Sequence, residues 1–317
     1  MMKLKEYAKK LLEAMFKQAT SNEEVKLSTV LITNDIESTG LLIRKKGQHM
    51  GIRFNVEDYY QNYLDHCGKE DFSDTARQLI EKFREEAQDF DGVGEEVGMD
   101  IPDFSRVKDR IYLKLINTKR NSQLLKTTPH VPYLDLSAVF YLYHPIGSIL
   151  IQEQIMSMWD TTPDELYEIA LGNMAKQQPE KFFSVHEYLE SHEDILPKEM
   201  IYDRELNPPI YALTNALNWN GASAILYPNV LETYANQYDC DWLVIPSSVH
   251  EVLLSPYSSE SEIKNLCEVI REVNTLLLEP DEFLSDHPYL YKRDKKELIP
   301  VERNSDAYSQ ICRPCAV

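Results

Sequence analysis

Short β-rich runs and amphipathic helices follow one another along this chain without the strict strand–helix alternation that builds a parallel sheet. Between residues 28 and 56, turn signals at Asn34-Asp35 and Lys46-Gly47 separate three β-rich runs. These runs predict a three-stranded meander, with Leu41 and Ile43 on one face of its middle strand. We therefore predict an α+β fold class, with mixed or antiparallel sheets and flanking helices.

Apolar spacing predicts helices in the segments that follow the meander. Two of them span residues 57–68 and 73–88, the second with Ser73 as its N-cap. Residues 104–117 also fit a helix, because apolar side chains recur at Val107, Ile111 and Leu115. A further helix begins after Thr162, which forms a capping box with Glu165.

The rest of the chain predicts strands with a few helices between them. Residues 131–145 and the runs within residues 242–254 are strand-like, and residues 286–301 fit a closing hairpin. Residues 259–278 fit a helix. Residues 208–239 predict strand, turn, strand and helix. Residues 149–151 after Gly147 and residues 225–227 after Gly221 occupy similar places, which hints at a duplication, although chance explains the likeness as well.

An acidic, glycine-bearing loop over residues 89–103 is the best candidate for a boundary between two parts of the chain. We predict an N-terminal part over residues 1–98, with the first helix, the meander and two helices. A C-terminal α+β domain follows over residues 99–305, and a flexible tail over residues 306–317.

Charge and composition exclude several classes of protein. Acidic residues number 52 and basic residues 33, a formal charge of −19 that repels phosphate backbones, so we expect no direct nucleic-acid binding. The same charge fits a solvated surface, a basic protein partner or mimicry of nucleic acid. The chain has 10 glycines and no glycine-rich phosphate-binding motif. Five scattered cysteines and the lack of a long apolar run predict a cytoplasmic protein without membrane contact.

Several short patterns resemble metal sites but fail on spacing, so we expect no metal and no cofactor. His186 and His192 lie six residues apart, too far for the zinc pair of a metalloprotease helix. The acidic loop from Asp89 to Asp100 lacks a calcium ligand at its fifth position. A Cys-x-x-Cys pair, Cys312–Cys315, stands at the end of the chain without a second pair.

The segment "IPSSVHEVLL" over residues 245–254 is the nearest thing to a site. Its apolar ends predict a strand–turn–strand element whose hydroxyl groups bond nearby backbone. The alternative is a hydrolase-like catalytic site assembled from distant residues, with Ser248, His250, Asp135 and Tyr133 as candidates. The aromatic run that contains Tyr141 and Tyr143 predicts a core strand or, less simply, the rim of a ligand groove.

Five segments together resemble an uncharacterised bacterial family that carries a domain-of-unknown-function label. They are "ITNDIESTGL", "VKDRIYLKLIN", "YLDLSAVFYL", "NGASAILYPNVLETYA" and "IPSSVHEVLL". The stretch "ILIQEQIMSMWDTTPDELYEIALGNM" is also similar to a second uncharacterised family of Gram-positive bacteria. The first family is common in Clostridia, often near mobile elements, and it implies no reaction and no catalytic residue.

Two function hypotheses follow from the sequence. In the first, the chain is a non-enzymatic, acidic protein-interaction or regulatory protein with a protein partner, for which the charge makes a basic protein one candidate. The resemblance adds a bacterial cytoplasm and a place as mobile-element cargo, and the hypothesis gives such a protein the role of an inhibitor. In the second, the chain is an enzyme whose site forms around Ser248, His250 and Asp135.

Overall fold

The computed structural model describes residues 2–48, 51–90, 101–144, 147–191, 209–258, 266–267, 270–272, 274–276 and 278–301. The chain divides into two compact units, residues 1–107 and residues 108–317. The division therefore comes after the boundary predicted at residues 98–99, and most of the acidic loop lies outside the described residues. Every strand pairing described is antiparallel and α-helices accompany the sheets, which confirms the α+β fold class.

The first unit contains one small sheet and several helices. Its elements are α1 (Leu4–Gln18), β1 (Glu23–Ile32), β2 (Ile36–Lys45), β3 (Ile52–Asn55), α2 (Val56–Asp65), α3 (Phe72–Phe90) and α4 (Phe104–Val107). The strands pair in the order β1-β2-β3, which confirms the predicted meander. The β1–β2 turn contains Asn34 at φ 65°, a left-handed conformation that asparagine tolerates.

The core of the first unit forms between α1, α3 and one face of the sheet. Leu41 and Ile43 of β2 are fully buried, as their predicted alternation requires. They belong to one cluster with Leu11 of α1 and Leu79 and Phe83 of α3. The helices therefore bury their apolar stripes against the meander.

The predicted N-cap of α3 is wrong by two positions. The helix begins at Phe72, and the carboxylate of Asp71 accepts hydrogen bonds from the backbone amides of Ser73 and Asp74. A carboxylate at this place satisfies free amides and also complements the helix dipole, which a serine hydroxyl does less well.

The second unit contains two sheets. Its elements are β4 (Ile111–Asn117), β5 (His130–Tyr133), β6 (Leu136–His144), β7 (Gly147–Leu150), α5 (Glu153–Met158), α6 (Pro163–Gln177), β8 (Glu180–Ser184), α7 (Val185–Glu190), β9 (Tyr211–Asn215), α8 (Val230–Tyr238), β10 (Trp242–Pro246), β11 (Val252–Pro256), β12 (Tyr289–Lys292) and β13 (Glu297–Pro300). One sheet has the order β13-β12-β10-β11-β9-β8. In the other, β4, β5 and β7 all pair with β6. The predicted closing hairpin is confirmed as β12–β13, and the residues described between 266 and 276 are helical.

The predicted helix over residues 104–117 is wrong for most of its length. Helix α4 ends at Val107, a 3-10 turn follows at Lys108–Arg110, and β4 occupies Ile111–Asn117. A spacing of four residues fits a strand as well as a helix, because four is a multiple of the strand period of two. Ile111, Leu113 and Leu115 are buried, and the neighbouring Tyr112 and Ile116 are buried as well, as in a strand covered on both faces.

The predicted strand before α8 is also wrong. Gly221–Leu226 forms a 3-10 helix in which all six residues are buried. Gly221 lies so close to β9 that an added Cβ would stand 2.0 Å from Thr214 Oγ1 and 2.6 Å from the carbonyl oxygen of His250. The corresponding place in residues 147–150 is strand β7, so the suggested duplication does not extend to the structure.

Helix α6 holds β4 in position. Its capping box is confirmed: Thr162 accepts a hydrogen bond from the amide of Glu165, whose side chain accepts from the amide of Thr162. At the other end, Asn173 donates to the carbonyl oxygen of Ile111 at 3.0 Å. The start of β4 is therefore anchored to α6.

Candidate functional site

The segment "IPSSVHEVLL" is the turn between β10 and β11, as predicted. Ile245 pairs with Leu253 and Pro246 pairs with Val252 across the turn. The hydroxyl of Ser248 accepts the backbone amide hydrogen of His250 at 3.0 Å. Ser248 therefore shapes the turn, and its bond to residue 250 involves the main chain and not the imidazole ring.

The ring of His250 is held by two neighbours. The backbone amide of Asn220 donates to its Nδ1 at 3.1 Å, and its Nε2 lies 3.6 Å from a carboxylate oxygen of Glu282. Because Nδ1 accepts, the neutral ring has its proton on Nε2, which faces Glu282. Burial lowers the pKa of His250, and the positive charge of Lys114 lowers it further. The neutral ring is therefore the favoured form.

Lys114 is a cationic residue in the middle of the apolar strand β4. Its neighbours Leu113 and Leu115 are buried, and Lys114 itself is half-buried. Burial lowers its pKa to about 8, although the carboxylates of Asp281 and Glu282 act in the opposite direction. Perturbed acid–base groups that lie together are typical of functional sites.

Aromatic rings share the sheet face with Lys114. Tyr112 pairs with Tyr141 and Lys114 pairs with Val139, so the side chains of Tyr112, Lys114, Tyr141 and Tyr143 emerge on one side. The ring of Trp219 lies 6.2 Å from that of Tyr141 and 6.1 Å from that of Tyr143. We call this group the Lys114 face and define it as Lys114, Tyr141, Tyr143, Trp219, His250 and Glu282.

Only part of the Lys114 face is visible in the sequence. His250 was a candidate, and Tyr141 and Tyr143 were considered as a groove rim. Lys114 was missed because its segment was assigned to a helix. The available signal was a single lysine inside the run Ile111–Asn117, where a charged residue is unusual in a strand buried on both sides.

Asp135 lies in a different group from His250. It stands in the β5–β6 turn, where the hydroxyl of Tyr289 donates to its carboxylate at 2.8 Å. Its second oxygen lies 3.7 Å from Nε2 of the buried His287. Burial, followed by the charge of Asp135, raises the pKa of Tyr289. These contacts link the β5–β6 turn to the start of β12.

Tyr133, the fourth predicted candidate, is half-buried at the end of β5. Burial raises its pKa to about 12, with smaller contributions from Tyr167 and Tyr291. A phenol of this kind is protonated at neutral pH. The four predicted residues thus occupy the β10–β11 turn and the β5–β6 hairpin, and the structure does not bring them together as a triad.

A second feature of this unit is a cleft of about 530 Å³ beside β8, which we call the aromatic cleft. Its lining residues are Phe182, Phe183, Ser184, Glu187, Tyr188, Ser191, Tyr211 and Tyr238. The rings of Phe182 and Tyr211 stack at 4.9 Å, and Tyr211 meets Tyr238 edge-on at 5.0 Å. Burial, Tyr238 and, more weakly, Glu187 raise the pKa of Tyr211.

Within the described residues, no three His, Cys, Asp or Glu side chains are grouped in a way that could hold a metal ion. None of the described helices is both long enough and apolar enough to span a membrane. The pairs His186–His192, Asp89–Asp100 and Cys312–Cys315 each include residues outside the described ranges.

Comparisons with known proteins give a family but no activity. No significant match is found among curated proteins or among solved structures. One family model matches residues 4–293, nearly the whole chain, which confirms the resemblance seen in the sequence. The chain therefore belongs to the family described as "Family of unknown function (DUF5688)".

Proposed function

We propose that this protein is a non-enzymatic regulator that binds a basic segment of a partner protein in the aromatic cleft. The observation that carries the proposal is the combination, in one cleft of about 530 Å³, of several aromatic rings and the carboxylate of Glu187. Aromatic faces attract lysine and arginine side chains through cation–π contacts, and a nearby carboxylate adds a direct charge pair.

Two of the rings that line this cleft are partly exposed to solvent. Tyr188 is 46% exposed and Tyr238 is 37% exposed, whereas the neighbouring Trp242 is fully buried. The half-buried rings of Phe182, Phe183 and Tyr211 form a wall of the cleft, and the exposed rings provide contact area. Tyrosine is common in such anchor sites because its large ring loses little conformational freedom on binding.

The charge of the whole chain supports the same class of partner. A formal charge of −19 attracts basic proteins over distances of about 10 Å at moderate salt and accelerates their association. The family resemblance and the scattered cysteines support the setting that we propose, a bacterial cytoplasm in which the protein is mobile-element cargo and inhibits its partner. Direct contact with nucleic acid is not part of this proposal, because phosphate groups would be repelled.

The hydrolase-like alternative has less support from the geometry. Ser248 is engaged with the backbone of the β10–β11 turn, and Asp135 bonds Tyr289. A serine hydrolase needs the acid, the histidine and the serine in one hydrogen-bonded series. In the described residues, these contacts give Ser248 and Asp135 structural partners, so we do not assign the function to this set.

The test uses a fluorescein-labelled peptide of alternating arginine and serine, with an alternating glutamate–serine peptide as its counterpart. We expect fluorescence anisotropy to show binding of the arginine peptide alone, weakened by added salt. Glu187→Gln and Tyr238→Ala should each weaken binding by about tenfold, the scale of one charge-assisted or cation–π contact.

The matched control is Glu168→Gln, which removes one exposed carboxylate from α6, outside the cleft lining. It should leave the affinity unchanged. If Glu168→Gln and Glu187→Gln weakened binding equally, the attraction would be a property of net charge, and the cleft would not be the docking site. Absence of arginine-peptide binding would also refute the proposal.

A further inference from the structure

The Lys114 face combines a lysine with groups that can transfer protons. Lys114 interacts electrostatically with Glu282, Asp281 and His250, and Nε2 of His250 lies 3.6 Å from Glu282. The lysine comes from β4, the histidine from the β10–β11 turn, and the carboxylates from the segment before β12. Three separate parts of the second unit therefore converge on one amine.

The backbone around this group is firmly fixed. The amide of Val249 donates to the carbonyl oxygen of Glu282 at 2.9 Å, which joins the turn to the carboxylate segment. Asn117, at the end of β4, donates to the carbonyl oxygen of Leu284 at 3.0 Å. The amine, the imidazole and the carboxylate are thus held by main-chain contacts on either side, as a preorganised site requires.

The face is also open to a small molecule. The side chain of His250 is 32% exposed and that of Glu282 is 35% exposed, while Lys114 is half-buried. Tyr141, Tyr143 and Trp219 are half-buried and pack together on the side of the sheet from which Lys114 emerges. A planar ligand that lies against these rings would place its reactive atom near Lys114.

We propose that Lys114 is a nucleophilic amine that forms an imine with a neutral, planar carbonyl compound on this face. Neutral lysine is the reactive form, and desolvation of a lysine side chain favours that form. Glu251, Asp281 and Glu282 make the surroundings acidic, so an anionic carbonyl compound such as a keto acid would be repelled. The aromatic rings favour a planar body.

The reaction balances without an oxidant or a reductant. The lone pair of Lys114 Nζ attacks the carbonyl carbon, a C–N bond forms, and Glu282 passes one N–H proton from the nitrogen to the carbonyl oxygen, which becomes a hydroxyl group. Glu282 then accepts the second N–H proton and returns it to this hydroxyl group, which leaves as water while the C=N bond forms. The Nε2–H of His250 faces Glu282 and can hydrogen-bond its carboxylate throughout. The net change is amine plus carbonyl compound to imine plus water.

The lowered pKa of Lys114 supports this assignment and sets the expected difference in reactivity between Lys114 and ordinary lysines. At pH 7, an amine with a pKa of about 8 is roughly one-tenth neutral, whereas an ordinary lysine is less than one-thousandth neutral. Lys114 should therefore react well ahead of exposed lysines. Lys26 and Lys181 are exposed and serve as internal references.

The experiment treats the full-length protein with benzaldehyde and cyanoborohydride at pH 7 and follows each lysine by peptide mass spectrometry. We expect Lys114 to be labelled at least tenfold faster than Lys26 and Lys181, with a rate that rises with pH to a plateau above pH 8. Propanal should show a smaller preference, because it lacks a ring to lie against Trp219. Labelling of Lys114 at or below the rate of the two references would overturn the proposal.

A variant of Glu282 distinguishes its proposed role in proton transfer from an effect of the solvent exposure of Lys114. Glu282→Gln keeps the size of the side chain and removes its ability to accept a proton, so labelling of Lys114 should slow while labelling of Lys26 stays the same. The thermal melt serves as the control for folding. An unchanged Lys114 rate in this variant would show that Glu282 takes no part in the proton transfer and would refute that step. Peptide binding at the aromatic cleft is measured separately, so each proposal can fail alone.

Discussion

At the scale of single residues, the segment around the β10–β11 turn contains a residue with a packing role, Val252, and a residue with a hydrogen-bonding role, Ser248. Val252 is 1% exposed, whereas Ser248 contributes its hydroxyl to one backbone amide. We expect Val252→Ala to lower the free energy of unfolding by about 1–4 kcal/mol, because it leaves a cavity. Ser248→Ala should cost about 0.5–1.5 kcal/mol, the net value of one hydrogen bond. Urea melts measure both, and an equal or reversed order would contradict the assignment.

The titration of His250 gives a second prediction at this scale. Folding lowers its pKa, chiefly through burial, so the unfolded chain binds the proton more tightly. The stabilising effect of the neutral ring is complete above the unfolded pKa of about 6.5 and is lost as the pH falls toward the lower folded value. His250→Asn retains an acceptor for the amide of Asn220 and cannot titrate. Urea melts at pH 5 and pH 7.5 should show a smaller loss of stability on acidification in this variant than in the wild type.

Residue roles were only partly visible in the sequence. The sequence around Ser248 and His250 correctly indicated a turn, because Pro-Ser-Ser between two apolar runs is typical of a turn. The pairing of Asp135 with Tyr289 joins residues that are far apart in the chain, and no local spacing encodes such a contact. The same holds for Lys114 and Glu282.

At the scale of elements, a substitution of Gly221 tests whether the 3-10 helix found in place of the predicted strand depends on close packing at this residue. An added methyl group would overlap Thr214 Oγ1 and the carbonyl oxygen of His250, and the second of these belongs to the backbone. We expect Gly221→Ala to destabilise the protein by about 1–3 kcal/mol through overpacking. The control is Gly172→Ala in α6, where nothing lies within 4 Å of an added Cβ. That change should stabilise the helix by roughly 0.5–1 kcal/mol, and a harmless Gly221→Ala would show that the close contact relaxes freely.

Element type was predictable where the spacing of apolar residues fits only the helix period or only the strand period. It was unpredictable where the spacing fits both. The β1–β2 hairpin alternates with period two, and α6 starts with a capping box, so both were predicted correctly. The run Val107–Leu115 satisfies both periods, and the burial of β4 on both faces removes the alternation that would have decided the matter. Tertiary pairing with β6 selects the strand.

At the scale of the whole molecule, the division into two compact units predicts that the first unit folds independently. The core cluster of the first unit is drawn entirely from residues between Tyr7 and Ala87, with α1, α2 and α3 arranged around the meander. A unit of about 100 residues with its own core is large enough to fold without metal or disulfide support. We therefore expect a fragment of residues 1–107 to unfold cooperatively in urea, with a far-UV spectrum that shows helix and strand.

Substitutions in the fragment test whether its folding depends on the core cluster of the first unit. Leu11 and Leu79 are essentially fully buried in α1 and α3, so Leu11→Ala in the fragment should lower the free energy of unfolding by about 2–5 kcal/mol. Lys10 is exposed on α1 and supplies the matched control, since Lys10→Ala removes a surface side chain and should change the stability by less than about 0.5 kcal/mol. A fragment that lacks a cooperative transition, or that tolerates both changes equally, would mean that the core between α1, α3 and the meander does not form without residues 108–317.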